Sequence, residues 1–220
     1  MVVSRTSCST WLWEATTGLW EAIRTHPFLV ELEAGTLPDH KLRFYFEQNI
    51  QYVDSVYRTR LIAAAKAPDR TTFDLLTRQW SLEPSQDRQA DLLRAFGGDP
   101  DDLPEMAPAC RGYTYHMLHN ATLGRTVDWL ASFVACPWTY DLIGSHVSGR
   151  IGEERREDWM EWYGSQEHHD LLADLRAAID RLSVDLDDDD RAGLLRQWRL
   201  GLRYEWMFWD DAYHTRAWPI

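Results

Sequence analysis

Cysteine is scarce in this chain: only Cys8, Cys110 and Cys136 occur among 220 residues. Their odd number and wide spacing fit neither a disulfide framework nor a zinc site, so each is expected to be a free thiol. No apolar run reaches the roughly 20 residues that cross a bilayer. The stretch from Met1 to Cys8 carries one arginine and leads into Trp11-Leu12-Trp13-Glu14, without the charged start and apolar core of a signal peptide. A cytoplasmic protein with no membrane partner is expected. Positive charge is also short, with 23 Lys and Arg against 35 Asp and Glu and a formal net charge of -12. No basic stripe offsets it, which argues against nucleic-acid binding. Alternation of period two is nearly absent, which argues against a sheet protein. Neither a Pro-, Gly- or Ser-rich linker nor an internal repeat divides the chain, so residues 1–220 are read as one domain.

What is present is helical periodicity. Apolar residues recur at intervals of three and four through most of the sequence, and 45% hydrophobic content suffices for a substantial core. The spacing predicts helices over 9–25, 26–35, 39–67, 69–82, 85–97, 107–123, 126–149, 155–182 and 188–216. Breakers fall between them: Gly35 and Pro38, Pro68, Pro84, Gly97 with Gly98 and Pro100, Pro104 and Pro108, and Gly152. The acidic run Asp187 to Asp190 reads as the start of the last helix, where carboxylates complement the helix dipole, rather than as a metal site. Trp11, Trp20, Trp80, Trp129, Trp159 and Trp198 lie on apolar stripes and are expected in the core.

Three segments could carry chemistry. In the last helix, helical spacing puts Glu205, Phe208, Trp209 and Ala212 on one face, so a carboxylate sits among inward-facing aromatics. Burial without a cation would suit it to proton transfer near neutral pH, although a carboxylate at the rim has the same spacing. Cys136 precedes Pro137, which disfavours helical geometry at the cysteine and removes a backbone donor. A kink or helix start there favours a reactive thiol more than at Cys8 or Cys110, though a small buried residue fits as well. Asn49 and Tyr52 lie three apart on one helix face; they either satisfy each other or line a pocket for a flat heterocycle.

Six stretches in order carry a resemblance: His26-Pro27-Phe28, Tyr45-x-x-Gln48-Asn49-x-x-Tyr52, Tyr113-Thr114-x-x-Met117, Cys136-x-Trp138-x-Tyr140, Trp159-Met160-x-x-Tyr163, and Glu205-x-x-Phe208-Trp209-x-x-Ala212-Tyr213. Together they resemble the thiaminase II (TenA) family over nearly the whole chain. The resemblance implies an all-α, heme-oxygenase-like helical bundle that binds no heme, needs no cofactor or metal, and assembles as a homo-oligomer, often a tetramer. It implies hydrolysis of aminopyrimidine breakdown products of thiamin, and sometimes of thiamin, to the hydroxymethylpyrimidine. By analogy Cys136 adds to the pyrimidine ring and Glu205 acts as acid and base. Asn49, Tyr52, Tyr113, Tyr140, Tyr163 and Phe208 shape the substrate pocket. One departure stands out: the family commonly has Asp where this chain has Asn49, and an amide cannot stabilise a protonated ring by charge. The His168-His169 pair beside Glu167 also suggests a modified pocket.

Two other readings stay open. A diiron oxygenase of similar fold would need Glu-x-x-His pairs, and none occurs; Asp211 before His214 has that spacing alone. A protein with a changed heterocycle, or one that only binds it, is favoured by Asn49 and opposed by the presence of both Cys136 and Glu205.

Overall fold

The computed structural model describes residues 6–78, 86–147 and 160–220. They form helices α1 (Cys8–Glu14), α2 (Thr17–Arg24), α3 (Pro27–Glu33), α4 (Asp39–Ala65), α5 (Arg70–Thr77), α6 (Gln86–Ala95), α7 (Pro108–Leu123), α8 (Thr126–Phe133) and α9 (Ala135–Val147), followed by α10 (Gln166–Leu182) and α11 (Asp188–His214). No strand occurs among the described residues. The expectations placed on Trp80, Pro84, Gly152 and Trp159 lie outside them.

Local chemistry explains most boundaries. Asp187 accepts from the Asp190 amide at 2.8 Å, so the acidic run caps α11. His26 caps α3, its Nδ1 accepting from the Phe28 amide at 3.1 Å, with Pro27 in the first turn. The His-Pro-Phe stretch is therefore a helix start. The predicted helix 9–25 breaks at Thr16, whose hydroxyl donates to the Leu12 carbonyl at 2.7 Å and accepts from the Trp198 indole at 3.1 Å. The predicted helix 126–149 breaks at Val134, three residues before Pro137, which has no amide hydrogen to continue the ladder. Ser165 starts α10 by capping the His168 amide, so the predicted helix 155–182 is interrupted at Gly164-Ser165.

The two 27-residue helices α4 and α11 cross the molecule and pack with α7, α8 and α9 around one core. Trp129 and Trp198 are fully buried and Trp20 nearly so, while Trp11 is half-buried at the core's edge. Gly201 lets α11 lie directly on the α8–α9 junction: a Cβ there would stand 3.0 Å from the Ser132 carbonyl oxygen. That approach carries Glu205, one turn further along, toward Cys136. Among the described residues no helix is long and apolar enough to cross a membrane.

Candidate active site

Cys136 occupies the first turn of α9, immediately after the break that Pro137 enforces. The helix dipole favours negative charge at this end. The thiol is buried, at 8% exposure, in the wall of a narrow cavity of about 20 Å³. Helix α4 contributes Tyr52, Val53 and Val56 to that wall, the spacing of one helix face. Phe133 closes it from α8, Pro137 and Tyr140 from α9, and Tyr163 from the helical residues just before Gly164. Tyr163 is seated by Gly144, where an added Cβ would meet Tyr163 Cβ at 2.6 Å and its carbonyl carbon at 2.7 Å.

Glu205 is 3% exposed, and among the described residues no cation pairs with it. Burial raises its carboxyl to about 8, while hydrogen bonding from Tyr113 opposes the rise. It is therefore largely protonated at neutral pH. Burial also holds the phenols of Tyr52, Tyr113 and Tyr140 well above their ordinary range, and all three are pushed further up by the negative charge of both Cys136 and Glu205. The thiol and the carboxyl thus border one group of phenols. Among the described residues the Tyr52 and Tyr113 hydroxyls close no hydrogen bond of standard geometry. Tyr52 nevertheless lies close enough to Cys136, and Tyr113 to Tyr52 and Glu205, for weaker hydrogen bonding to run from thiol to carboxyl.

The other expected pocket residues divide between wall and support. Tyr140 and Tyr163 face each other with ring centroids 4.5 Å apart. Tyr113 and Phe208 stand behind Tyr52, at centroid distances of 5.0 and 5.8 Å. Asn49 is buried one turn before Tyr52 and donates to Gln89 on α6 at 3.1 Å, rather than pairing with Tyr52. Sequence reasoning passed over Gln89, whose segment carries no aromatic or charged signature of a site. Tyr45, quoted from sequence only as the start of its motif, also joins the site: its hydroxyl lies 2.5 Å from that of Tyr140 and its ring stacks on Trp209. Val53 and Val56 could have been found from their spacing after Tyr52. The two histidines diverge: His168 is buried and its Nε2 is 3.0 Å from the Pro137 carbonyl, whereas His169 pairs with Asp141. Asp211 accepts from the Ala109 amide at 2.9 Å, and His116 lies 3.2 Å from the Gln197 carbonyl. Among the described residues no three His, Cys, Asp or Glu side chains are grouped to hold a metal.

The sequence matches the profile of the TENA/THI-4/PQQC family over residues 13–215. The chain belongs to that family. Among TENA/THI-4/PQQC relatives, an aminopyrimidine aminohydrolase from Halalkalibacterium halodurans is 28% identical over 216 residues, covering 94% of this chain and 96% of the relative. A TenA homologue from P. horikoshii OT3 superposes with a TM-score of 0.86 at 24% identity, over 96% of this chain and all of that one. A Shewanella denitrificans domain described as having a heme oxygenase-like fold gives a TM-score of 0.73 at 13% identity, covering 94% and 92% of the two chains. The fold is thus heme-oxygenase-like and all-α, as the resemblance implied.

Proposed function

We propose that this chain is a thiaminase II type hydrolase that releases hydroxymethylpyrimidine from aminopyrimidine breakdown products of thiamin, in cytoplasmic thiamin salvage. The observation that carries this reading is the cluster of buried phenols, Tyr52, Tyr113 and Tyr140, that lies against both Cys136 and the buried Glu205, whose carboxyl burial raises to about 8. A site that only binds needs no thiol joined in this way to a proton donor.

The chemistry follows from the two groups. The Cys136 sulfur adds to the ring carbon beside the one that bears the aminomethyl group, and the ring takes up the electron pair. Return of that pair expels the amine, which leaves with a proton from Glu205, and the C–N bond breaks to an exocyclic methylene. Water adds to the methylene and gives its proton to the Glu205 carboxylate. The C–S bond then breaks, the ring regains aromaticity, and the sum is aminomethylpyrimidine plus water to hydroxymethylpyrimidine plus ammonia. Glu205 acts first as acid and then as base, which its raised pKa allows near neutral pH. Tyr52 and Tyr140 line the ring's path, while Tyr113 orients Glu205 and Phe208 supports Tyr52. At about 20 Å³ the cavity has room for a single water, so a pyrimidine enters by displacing wall side chains.

A second reading, a changed heterocycle on the same chemistry, is favoured by the uncharged Asn49 bound to Gln89. Purified protein incubated with 4-amino-5-aminomethyl-2-methylpyrimidine and, separately, with thiamin tests both. Hydroxymethyl product from the wild type but not from Cys136→Ser or Glu205→Gln supports the reading, and Asn49→Asp reports what the amide costs. No product from either substrate with folded protein overturns it. A homo-oligomer, tetramer or dimer, accompanies this function and is read by light scattering.

A further inference from the structure

We propose that Gln89 determines specificity in this site: through a buried carboxamide pair with Asn49, it donates a hydrogen bond to a ring nitrogen on the edge of a neutral heterocycle. The proposal rests on the hydrolase reading for the identity of that ring as a pyrimidine.

Asn49 and Gln89 are each 2% exposed, and the Asn49 Nδ2 donates to Gln89 Oε1 at 3.1 Å. That bond uses the oxygen end of the Gln89 carboxamide and leaves its other end a donor. The Gln89 Nε2 is buried and meets no acceptor among the described residues. Leaving a buried N–H without an acceptor is unfavourable, so packing alone does not account for a glutamine here. Its place in the fold points to the acceptor. On α4, Asn49 lies three and four residues before Tyr52 and Val53, both in the cavity wall, and so shares their face. Helix α6, which carries Gln89, packs on α4. The pair therefore stands one turn before Tyr52 on the α4 face that walls the cavity, next to its lining rather than in it.

Chemistry then selects the ligand form. Two carboxamides offer hydrogen bonds without charge, and Nε2–H requires a lone pair opposite it. A ring nitrogen that has taken up a proton has lost that lone pair and presents a donor to a donor. The site accordingly takes the heterocycle in its neutral state, as the uncharged residue at position 49 also requires.

Gln89→Glu is the test, because it is isosteric, keeps the oxygen that accepts from Asn49, and converts the donating end to an acceptor. The probe is 4-amino-2,5-dimethylpyrimidine, which has no leaving group and so reports binding without turnover, titrated by calorimetry between pH 5 and 9. Wild-type affinity is expected to fall as pH drops and the ring protonates. In Gln89→Glu the trend reverses, with affinity falling as pH rises, and at pH 8 the variant binds at least about tenfold more weakly than wild type. With the aminomethyl substrate the variant raises KM by a similar factor and changes kcat less. Should Gln89→Glu fail to fold, Gln89→Met, of similar length and without a donor, carries the same tenfold loss. Equal affinity and the same pH trend in wild type and variant overturn the proposal, as does a wild type that does not bind the probe. Reversal of the trend in a protein that hydrolyses nothing upholds Gln89 and overturns the hydrolase reading.

Discussion

The groove walled by α1, α2, α3 and α9 holds about 410 Å³, whereas the cavity at Cys136 holds about 20 Å³. The larger hollow has little chemistry left over. Trp13 stacks on Trp20 at 4.2 Å, and Glu21 is already paired with Arg24 at 2.8 Å on an exposed surface where such a pair contributes little. The smaller one is lined by a thiol and three buried phenols, Tyr52, Tyr140 and Tyr163. Volume here measures how loosely apolar faces meet at the surface, whereas groups whose titration burial shifts are the candidates for chemistry.

The comparison breaks if activity depends on the groove, and its largest test is at the cavity. Glu205→Gln keeps shape and removes the proton, and it should lower kcat by roughly 10²–10⁴-fold, the usual range for general acid–base catalysis. Cys136→Ser should cost on the order of 10³-fold or more. Steady-state assays with the aminomethylpyrimidine check both, and a loss below tenfold in either would remove that residue from the mechanism.

The same carboxyl sharpens the contrast through stability. Its folded pKa of about 8 lies above the ordinary carboxyl value of 4.5, so between those limits the native state holds a proton the unfolded chain has released. Stability is therefore lost as pH rises through this window, by about 1.4 kcal/mol per pH unit from this group, and levels off above pH 8. Urea unfolding of wild type and Glu205→Gln from pH 5 to 9 should show a shallower decline in the variant. Parallel curves would mean that Glu205 is ionised in the native protein.

A smaller effect is expected where α11 meets the α8–α9 junction. Gly201→Ala brings a methyl within 3.0 Å of the Ser132 carbonyl oxygen and must push the helices apart. Overpacking of this kind costs about 1–3 kcal/mol. Because Glu205 moves with α11, kcat should also fall while KM is largely kept; unchanged kcat would separate Glu205 placement from this contact. The smallest catalytic effect belongs to the groove: Trp13→Ala should cost about 1–3 kcal/mol of stability through its lost stacking, yet leave kcat/KM within twofold.

Legibility varied along the chain for physical reasons. The break before Cys136 was readable because proline acts locally, and the capping role of Asp187 because helix dipoles do too. Thr16 was unreadable as a break, since what holds it is the Trp198 indole from the far end of the chain. In the site, Cys136, Tyr52, Tyr140 and Tyr163 could be named from sequence and lie in one wall. Gln89 could not, because a glutamine on a polar helix becomes distinctive only when another helix buries it.

Periodicity and breakers by themselves determined an all-helical fold, and the order of the aromatic motifs named Cys136 and Glu205 as the candidates for its chemistry. These depend on covalent geometry and near neighbours, which sequence states directly. Tertiary structure alone decided that Cys136 and Glu205 border the same phenols, that Asn49 answers to Gln89, and that the hollow beside Cys136 is narrow while others are wide. Each of those depends on how far water is excluded and which helices cross, quantities that no local stretch of sequence contains.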